Sequence, residues 1–450
     1  MGREMRMSRV AMLATLLLLA GSLAGPLAAG AQERSLDADA AVKLALENNL
    51  SLKSGRIELG KAARARNATW NSYLPSVDAS ATFNRYNKEP AVPGLSPWYM
   101  AVQVEASLPL SLAKLSSVRA TILGYESGRI DYETAERQLE RDVRKAFYAL
   151  LLSQESIHLA EQQLATAEKQ YQKALKNFEA GNAPKLDALT AQVAAENLKP
   201  ELEEQRVSYA GSLMSFQLLL GLEPTEELSL KGAIEAEACH FDPVELLRIY
   251  LGGRLDIQRL EKQIQIKEND KRIKDRSAYT PTLSASATYE PAINDPFAFK
   301  WGKGEDWTDN GLLTLSISIP LDGFVPGSAD RVASASARDD IEIARIALRQ
   351  ARQKAETEIR SALLGLEKSM RTMDALELNV TRAQEAYDLT ETSYRAGMLN
   401  LLEVQNASDE LQKAELLLLK EKYNYLSGLI DLSYSLNTTL GDLKDKRVRR

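Results

Sequence analysis

Two long stretches of this 450-residue chain repeat apolar side chains in alternating steps of four and three. The first runs Leu139, Val143, Ala146, Leu150, Ser153, Ile157, Ala160, Leu164, Ala167, Tyr171, Ala174, Phe178. The second runs Ala355, Ile359, Ala362, Leu366, Met370, Met373, Leu376, Val380, Ala383, Tyr387, Thr390, Tyr394, with small departures from the rule. A 3.5-residue period held this long is a coiled-coil seam, not a short helix wrapped on a globular core. No proline falls between Pro109 and Pro184, or after Pro326. Each helix can therefore extend for about 65 residues, roughly 100 Å. Aromatic residues are only 6% of the chain, and the seams are rich in Ala and Leu, as thin helical walls require.

The two stretches belong to two copies of one unit. YLPSVDASATF at 73–83 matches YTPTLSASATY at 279–289. Leu108-Pro109-Leu110 matches Ile319-Pro320-Leu321, FEAG at 178–181 matches YRAG at 394–397, and Leu220-Gly221 matches Leu440-Gly441. The four anchors keep their order while the offset grows from 206 to 220, so the copies differ by insertions in loops. The organisation expected is a leader at 1–31, a first copy at 32–222, a joint at 223–243, a second copy at 244–442 and a basic tail at 443–450. Each copy reads helix, two strands, long helix, long helix. Gly181 and Gly397 mark the turns between the long helices, where a positive φ ends a helix cheaply. Pro200 falls within a returning helix and is expected to kink it.

The strands, near 75–84, 99–110, 281–290 and 311–321, alternate strictly. Val102, Val104, Ala106, Leu108 and Leu110 interleave with Gln103, Glu105 and Ser107; Leu313, Leu315, Ile317 and Ile319 interleave with Thr314, Ser316 and Ser318. An apolar face and a small polar face fit a half-buried sheet. They equally fit a membrane barrel, whose strands need about 10 residues. Two strands per copy are too few for a free-standing sheet, which favours the barrel. The loops at 84–98 and 290–309 hold Trp98, Trp301 and Trp307 beside the strand ends, as an exterior barrel rim does.

Residues 1–31 read as a secretory leader: Arg3, Arg6 and Arg9, an apolar run from Val10 to Leu23, then Ala29-Gly30-Ala31. They carry three Arg against Glu4, so their removal takes the net charge from −6 to −8. An acidic exported chain is a poor nucleic-acid ligand. One Cys, Cys239, and two His argue against a disulfide framework, a zinc site and His-based catalysis; no cofactor and no enzymatic activity are expected.

FEAGNAPKLDALTAQ at 178–192 and YRAGMLNLLEVQNA at 394–407, each an aromatic-x-x-Gly turn followed by an acidic residue, apolar residues and Ala, carry a resemblance. With the Leu-Pro-Ser and Thr-Pro-Thr strand openings and the heptads, they resemble the TolC family of outer-membrane efflux and secretion channels over essentially the whole mature chain. The resemblance implies a mainly α fold with a small transmembrane β portion. Two strands per copy, two copies and three chains would close one twelve-stranded barrel, continued by a periplasmic tunnel of antiparallel coiled coils. An open four-stranded edge in lipid would leave backbone groups unpaired, so self-association is required on physical grounds as well.

The resemblance also implies partners and positions. The tips, at Gly181, Asn182, Ala183, Gly397, Met398 and Leu399, would contact a periplasmic adaptor protein, which bridges to an inner-membrane pump of the proton-driven (RND) or ABC type. Two acidic constriction positions of the family fall on Glu403 and Asn406, and their first-copy counterparts on Asp187 and Thr190. Three Glu403 side chains would form a cation-selecting ring. Asn406 is neutral and Leu399 stands where some members carry Arg, which leaves packing of Tyr394, hydrogen bonds of Asn406 or apolar contacts to hold the entrance. The expected function is a passive homotrimeric conduit of small molecules or proteins in the outer membrane of a Gram-negative bacterium. A periplasmic structural coiled coil is the alternative; it would not need four alternating strands.

Overall fold

The computed structural model describes residues 34–88, 95–224, 226, 228–237, 239–297, 307–308 and 310–445. The leader at 1–31, Trp301 and residues 446–450 of the basic tail lie outside them. The chain order is β1 (Arg34–Leu36), α1 (Ala38–Asn48), α2 (Leu50–Asn67), β2 (Ser76–Arg85), β3 (Trp98–Ser111), α3 (Leu112–Glu179), α4 (Lys185–Leu220), β4 (Leu228–Leu230), α5 (Pro243–Tyr250), α6 (Leu255–Tyr279), β5 (Thr282–Tyr289), β6 (Ala292–Asn294), β7 (Trp307–Thr308), β8 (Gly311–Ser318), α7 (Ala329–Arg395), α8 (Leu401–Ser435) and α9 (Leu440–Asp445). Helices α3 and α7 have 68 and 67 residues, each about 100 Å at 1.5 Å per residue. Contacts divide the chain into two compact units. One takes in the described residues up to Ala45 with Val143–Ile234 and Ala386–Leu416; the other takes in Leu46–Asp142, Glu235–Glu385 and the described residues from Leu417.

The second unit holds the sheet. Its long strands run β2-β3-β5-β8, all antiparallel, so the second strand of the first copy pairs with the first strand of the second. The register sets like with like. Val77 lies opposite Ala106, Val104 opposite Tyr289, Leu110 opposite Leu283 and Leu283 opposite Ile317. Opposed residues point to one side, so the alternating apolar positions of the four strands share a face and Ser, Thr, Gln and Glu share the other, with Leu312, opposite Thr288, an exception on the polar side. On the polar face the hydroxyls of Ser76 and Ser107 lie 2.9 Å apart and those of Ser284 and Ser316 2.7 Å apart. β2 and β8 pair on one side only among the described residues. Pro109 is accommodated in β3 where β2 has already ended, so its missing N–H interrupts no ladder there.

Two features depart from the sequence reading. The segment expected to be plain loop at 290–309 carries β6 and β7; β6 pairs with Tyr99–Ala101 of β3. The last strand stops at Ser318, short of Leu321. Phe83 near the end of β2, Trp98 at the start of β3 and Phe297 form an aromatic cluster, with Trp98 5.1 Å from each partner ring.

The helical part of this unit packs as the seam requires. Ile359, Leu366, Met370 and Met373 of α7 meet Tyr425, Leu429 and Leu432 of α8 and Leu436 just after it, and Leu246 and Leu443 complete the core. At Gly428 an added Cβ would stand 3.0 Å from Leu366, so glycine sets the close approach of the two helices. The Tyr425 hydroxyl accepts the Cys239 N–H at 2.8 Å and donates to the Glu237 carbonyl at 3.0 Å, tying the joint between copies to α8.

In the first unit α4 turns back along the tip-proximal part of α3. The Phe147 and Phe216 rings lie 6.3 Å apart, and Arg206 pairs with Glu161 at 2.7 Å. Pro200 lies inside α4, which is one helix from Lys185 to Leu220. The joint at 223–243 is more than a connector: its β4 pairs in parallel with β1 at the start of the described chain.

Candidate functional site at the helical tips

Both helical hairpins end in the same backbone motif. Gly181 has φ +74° and Gly397 φ +75°. The Asn182 N–H donates to the Asn177 carbonyl at 2.8 Å, and the Met398 N–H to the Ser393 carbonyl at 3.0 Å. This six-to-one bond across a left-handed glycine is a Schellman cap, and only glycine adopts that φ without strain. The next helix then starts at once. Asn400 caps α8, its side-chain oxygen accepting the Glu403 N–H at 3.0 Å, while its amide lies 3.4 Å from the Glu403 carboxylate.

These turns bring the two copies together in a small cluster. Ala174 of α3, Ala188 and Ala191 of α4 and Leu401 of α8 are buried against one another, with Tyr171 and Tyr394 packed on the outside. Three alanines let the helices approach closely, and one leucine and two tyrosines fill the gap. Tyr394 is hydrogen-bonded to Asn177; burial raises its pKa, the Asp187 charge raises it further and the Asn177 bond opposes both. Around the cluster run polar ties. Lys173 reaches Glu391 at 3.2 Å, Arg395 reaches the same carboxylate at 2.7 Å, and the Gln163 amide donates to Asp409 at 2.9 Å. The Arg395 hydrogen bond, aided by Lys173, holds the Glu391 carboxyl below its usual value against the opposing cost of burial. Farther from the tip the same helices enclose a polar cavity of about 440 Å³ lined by Gln163, Gln170, Asn197, Gln405, Asn406 and Asp409 among others.

The residues singled out from sequence distribute as follows. Gly181, Asn182, Gly397 and Met398 are exposed at the turns; Ala183 and Leu399 are half-buried. Tyr394 and Asp187 come together, and Asp187 is half-buried. Thr190, Glu403 and Asn406 are exposed; Glu403 sits in the first turn of α8 with its cap, and Asn406 borders the polar cavity. Sequence reasoning missed Lys173, Asn177, Glu391, Arg395, Gln163 and Asp409. A signal existed for two of them. Lys173 precedes the seam residue Ala174 and Glu391 follows the seam residue Thr390, the flanking positions where opposite charges pair across a coiled coil.

Magnitudes decide what holds the entrance. The Lys173 side chain is 54% exposed, and pairs of this kind are worth about 0–1 kcal/mol. Leu401 is 4% exposed, and truncating such a leucine costs about 2–5 kcal/mol. Leu401→Ala should therefore loosen the tips more than Glu391→Gln, seen as faster hydrogen exchange in 174–191 and 394–404. Acid should weaken the Glu391 tie. A depressed carboxyl contributes fully above its unfolded pKa and is lost as pH falls through its lowered one, so the tie should hold at neutral pH and weaken only as the pH falls below the ordinary carboxylate range.

An open antiparallel ribbon with one apolar face, and helical hairpins closed by left-handed glycines, are the parts this chain supplies. The outer membrane efflux protein family matches residues 41–222 and 246–438, and the chain belongs to that family. It is an outer-membrane efflux channel protein. It is similar to outer membrane protein TolC of Vibrio cholerae, 21% identical over 408 residues, covering 88% of this chain and 89% of that one. Among solved structures, the CmeC outer membrane channel of Campylobacter jejuni superposes with a TM-score of 0.76 at 17% identity, covering 91% of this chain and 89% of that one. The open state of the MtrE outer membrane channel of Neisseria gonorrhoeae gives 0.73 at 20% identity, covering 90% and 89%. No helix among the described residues is long and apolar enough to cross a membrane.

Proposed function

We propose that three copies of this chain form a passive export conduit, with the four-stranded ribbons closed into a twelve-stranded barrel in the outer membrane. The observation that carries this reading is the ribbon itself: an apolar face, a polar face and, among the described residues, edges at β2 and β8 paired on one side only. Lipid tolerates neither an unpaired strand edge nor a polar outer face, and joining β2 of one copy to β8 of the next removes both faults. The polar face then lines a water-filled passage. The chain contributes no chemistry of its own; an inner-membrane pump of the proton-driven or ABC class supplies energy and selects cargo, small molecules or proteins, through a periplasmic adaptor seated on the tips at 181–183 and 397–399. Residues 1–31 direct export and are removed.

The entrance opens by repacking of the tips. Tyr394, Leu401 and the three alanines hold one arrangement, and separating α8 from α3 and α4 breaks the cluster as a unit. Glu403 and Asn406 lie one turn apart on α8 and face the passage, Glu403 as the charged ring. The purified protein should run on unboiled gels as a heat-modifiable trimer and form cation-preferring pores in planar bilayers. Glu403→Gln should lower that preference without changing trimer yield. Unchanged selectivity removes Glu403 from the passage, and a soluble monomer removes the conduit.

A further inference from the structure

The apolar face of the ribbon does not end where the strands end. Tyr73 before β2, Leu112 and Leu115 in the first turn of α3, and Ile319, Leu321 and Phe324 after β8 are all exposed. Within this skirt lies a cleft of about 420 Å³. Its floor is Leu110, Leu283 and Ile317, neighbours across β3, β5 and β8 on the apolar face. Tyr73 and Leu115 wall it, and Lys114 stands at its border. The Lys114 ammonium donates to the Pro109 carbonyl at 3.0 Å, which uses one of its three N–H groups and fixes the head beside the cleft. Arg276, from the last turn of α6, donates to the Leu112 carbonyl at 3.1 Å and to the Ser116 hydroxyl at 2.8 Å, adding a second cation to the same junction.

Two segments at this junction are free of acidic residues. The protein carries a net −6, yet no Asp or Glu occurs from Lys61 to Pro75 or from Ala106 to Tyr125. Those two segments flank the first hairpin on its helical side and contribute Lys61, Arg64, Arg66, Lys114 and Arg119. A basic collar beneath an apolar, aromatic-edged face is the arrangement that an anionic lipid surface attracts.

We propose that the cleft holds an acyl chain of an anionic glycerophospholipid from the periplasmic leaflet, with its phosphate on Lys114. The cleft is continuous with the lipid-facing side of the ribbon, and the collar complements a net negative headgroup. This rests on the reading that the ribbon lies in the outer membrane. The bound lipid would fill the inlet where the strands give way to helices and fix the depth at which the channel sits.

The test uses the full-length trimer, delipidated in detergent and titrated with phosphatidylglycerol or phosphatidylcholine of identical chains, followed by native mass spectrometry. Phosphatidylglycerol should bind up to one per chain and about fivefold more tightly than phosphatidylcholine, the effect of one interfacial charge contact. Lys114→Gln should erase that preference, and Leu115→Trp, which fills the cleft, should weaken both lipids. Equal binding of the two lipids by the parent protein, or indifference to both substitutions, overturns the proposal. Trimers that retain no lipid but dissociate in Leu115→Trp overturn it too, by showing that a neighbouring copy occupies the cleft. Failure to enter vesicles of either lipid would instead strike the membrane reading, so the two failures are distinguishable.

Discussion

Leu315→Arg should abolish stable outer-membrane insertion, whereas Thr314→Arg, one residue earlier, should be tolerated. Leu315 lies opposite Ala285 in the ladder and Thr314 opposite Ser286, so the two side chains leave β8 on opposite faces. Leu315 is 71% exposed in the single chain, with Leu313 and Ile317 beside it on the same face. If that face meets hydrocarbon, an arginine near the midplane costs about 2–4 kcal/mol. The cost recurs in every copy of the ring, comparable with the whole stability of an ordinary domain. Thr314→Arg puts the same charge into water and should alter ion selectivity instead. The measurement is the fraction of each variant recovered from outer membranes as heat-modifiable trimer. Equal recovery of the two variants would show that the faces are not divided between lipid and water.

Tyr425→Ala should lower stability by about 3–5 kcal/mol and Tyr425→Phe by about 1–3 kcal/mol. The residue is fully buried among Leu429, Leu432 and Met370, so truncation opens a cavity in the main helical core. The phenylalanine variant isolates the hydroxyl. Burial, partly opposed by the bond from the Cys239 N–H, pushes the Tyr425 pKa up to about 12, so the group stays neutral and bonded across the working pH range. Removing it takes the acceptor from the Cys239 N–H in a site closed to water. The temperature at which trimers convert to monomers on unboiled gels reads the effect. Tyr423→Phe, two residues away and only half-buried, is the control and should shift that temperature little. Equal shifts for Tyr423→Phe and Tyr425→Phe would deny the hydroxyl its structural role.

Periodic features were legible because periodicity is a property of each segment alone. Every seam position from Ala355 to Tyr394 is buried or half-buried, and the strand alternation reappears as two faces of the sheet. The first seam departs at its end, where Phe178 is exposed, and is off by one residue at one turn. Phe147, not Ala146, is the buried side chain, because it is large enough to reach Phe216. What depends on distant partners was not legible. The sequence shows two hairpins, but nothing local says that β3 lies beside β5, 173 residues on at the Leu110–Leu283 pair. β1 and β4 have three residues each, too few to show an alternation. At the tips the glycines were readable from their neighbours. The tie of Glu391 to Lys173 left a trace in the charges flanking the seam, but that of Asp409 to Gln163 did not, since similar side chains line every exposed helix face.

The pairing of β3 with β5 has a genetic consequence. It places a first-copy strand at one edge of the ribbon and a second-copy strand at the other, so the two edges of a chain are different surfaces. In the proposed ring every copy must mate both, and a chain damaged at β8 alone strands the sound β2 of its neighbour. Such an allele should be dominant: if half of the chains in a cell carry it and all assemble at random, about one ring in eight is free of them.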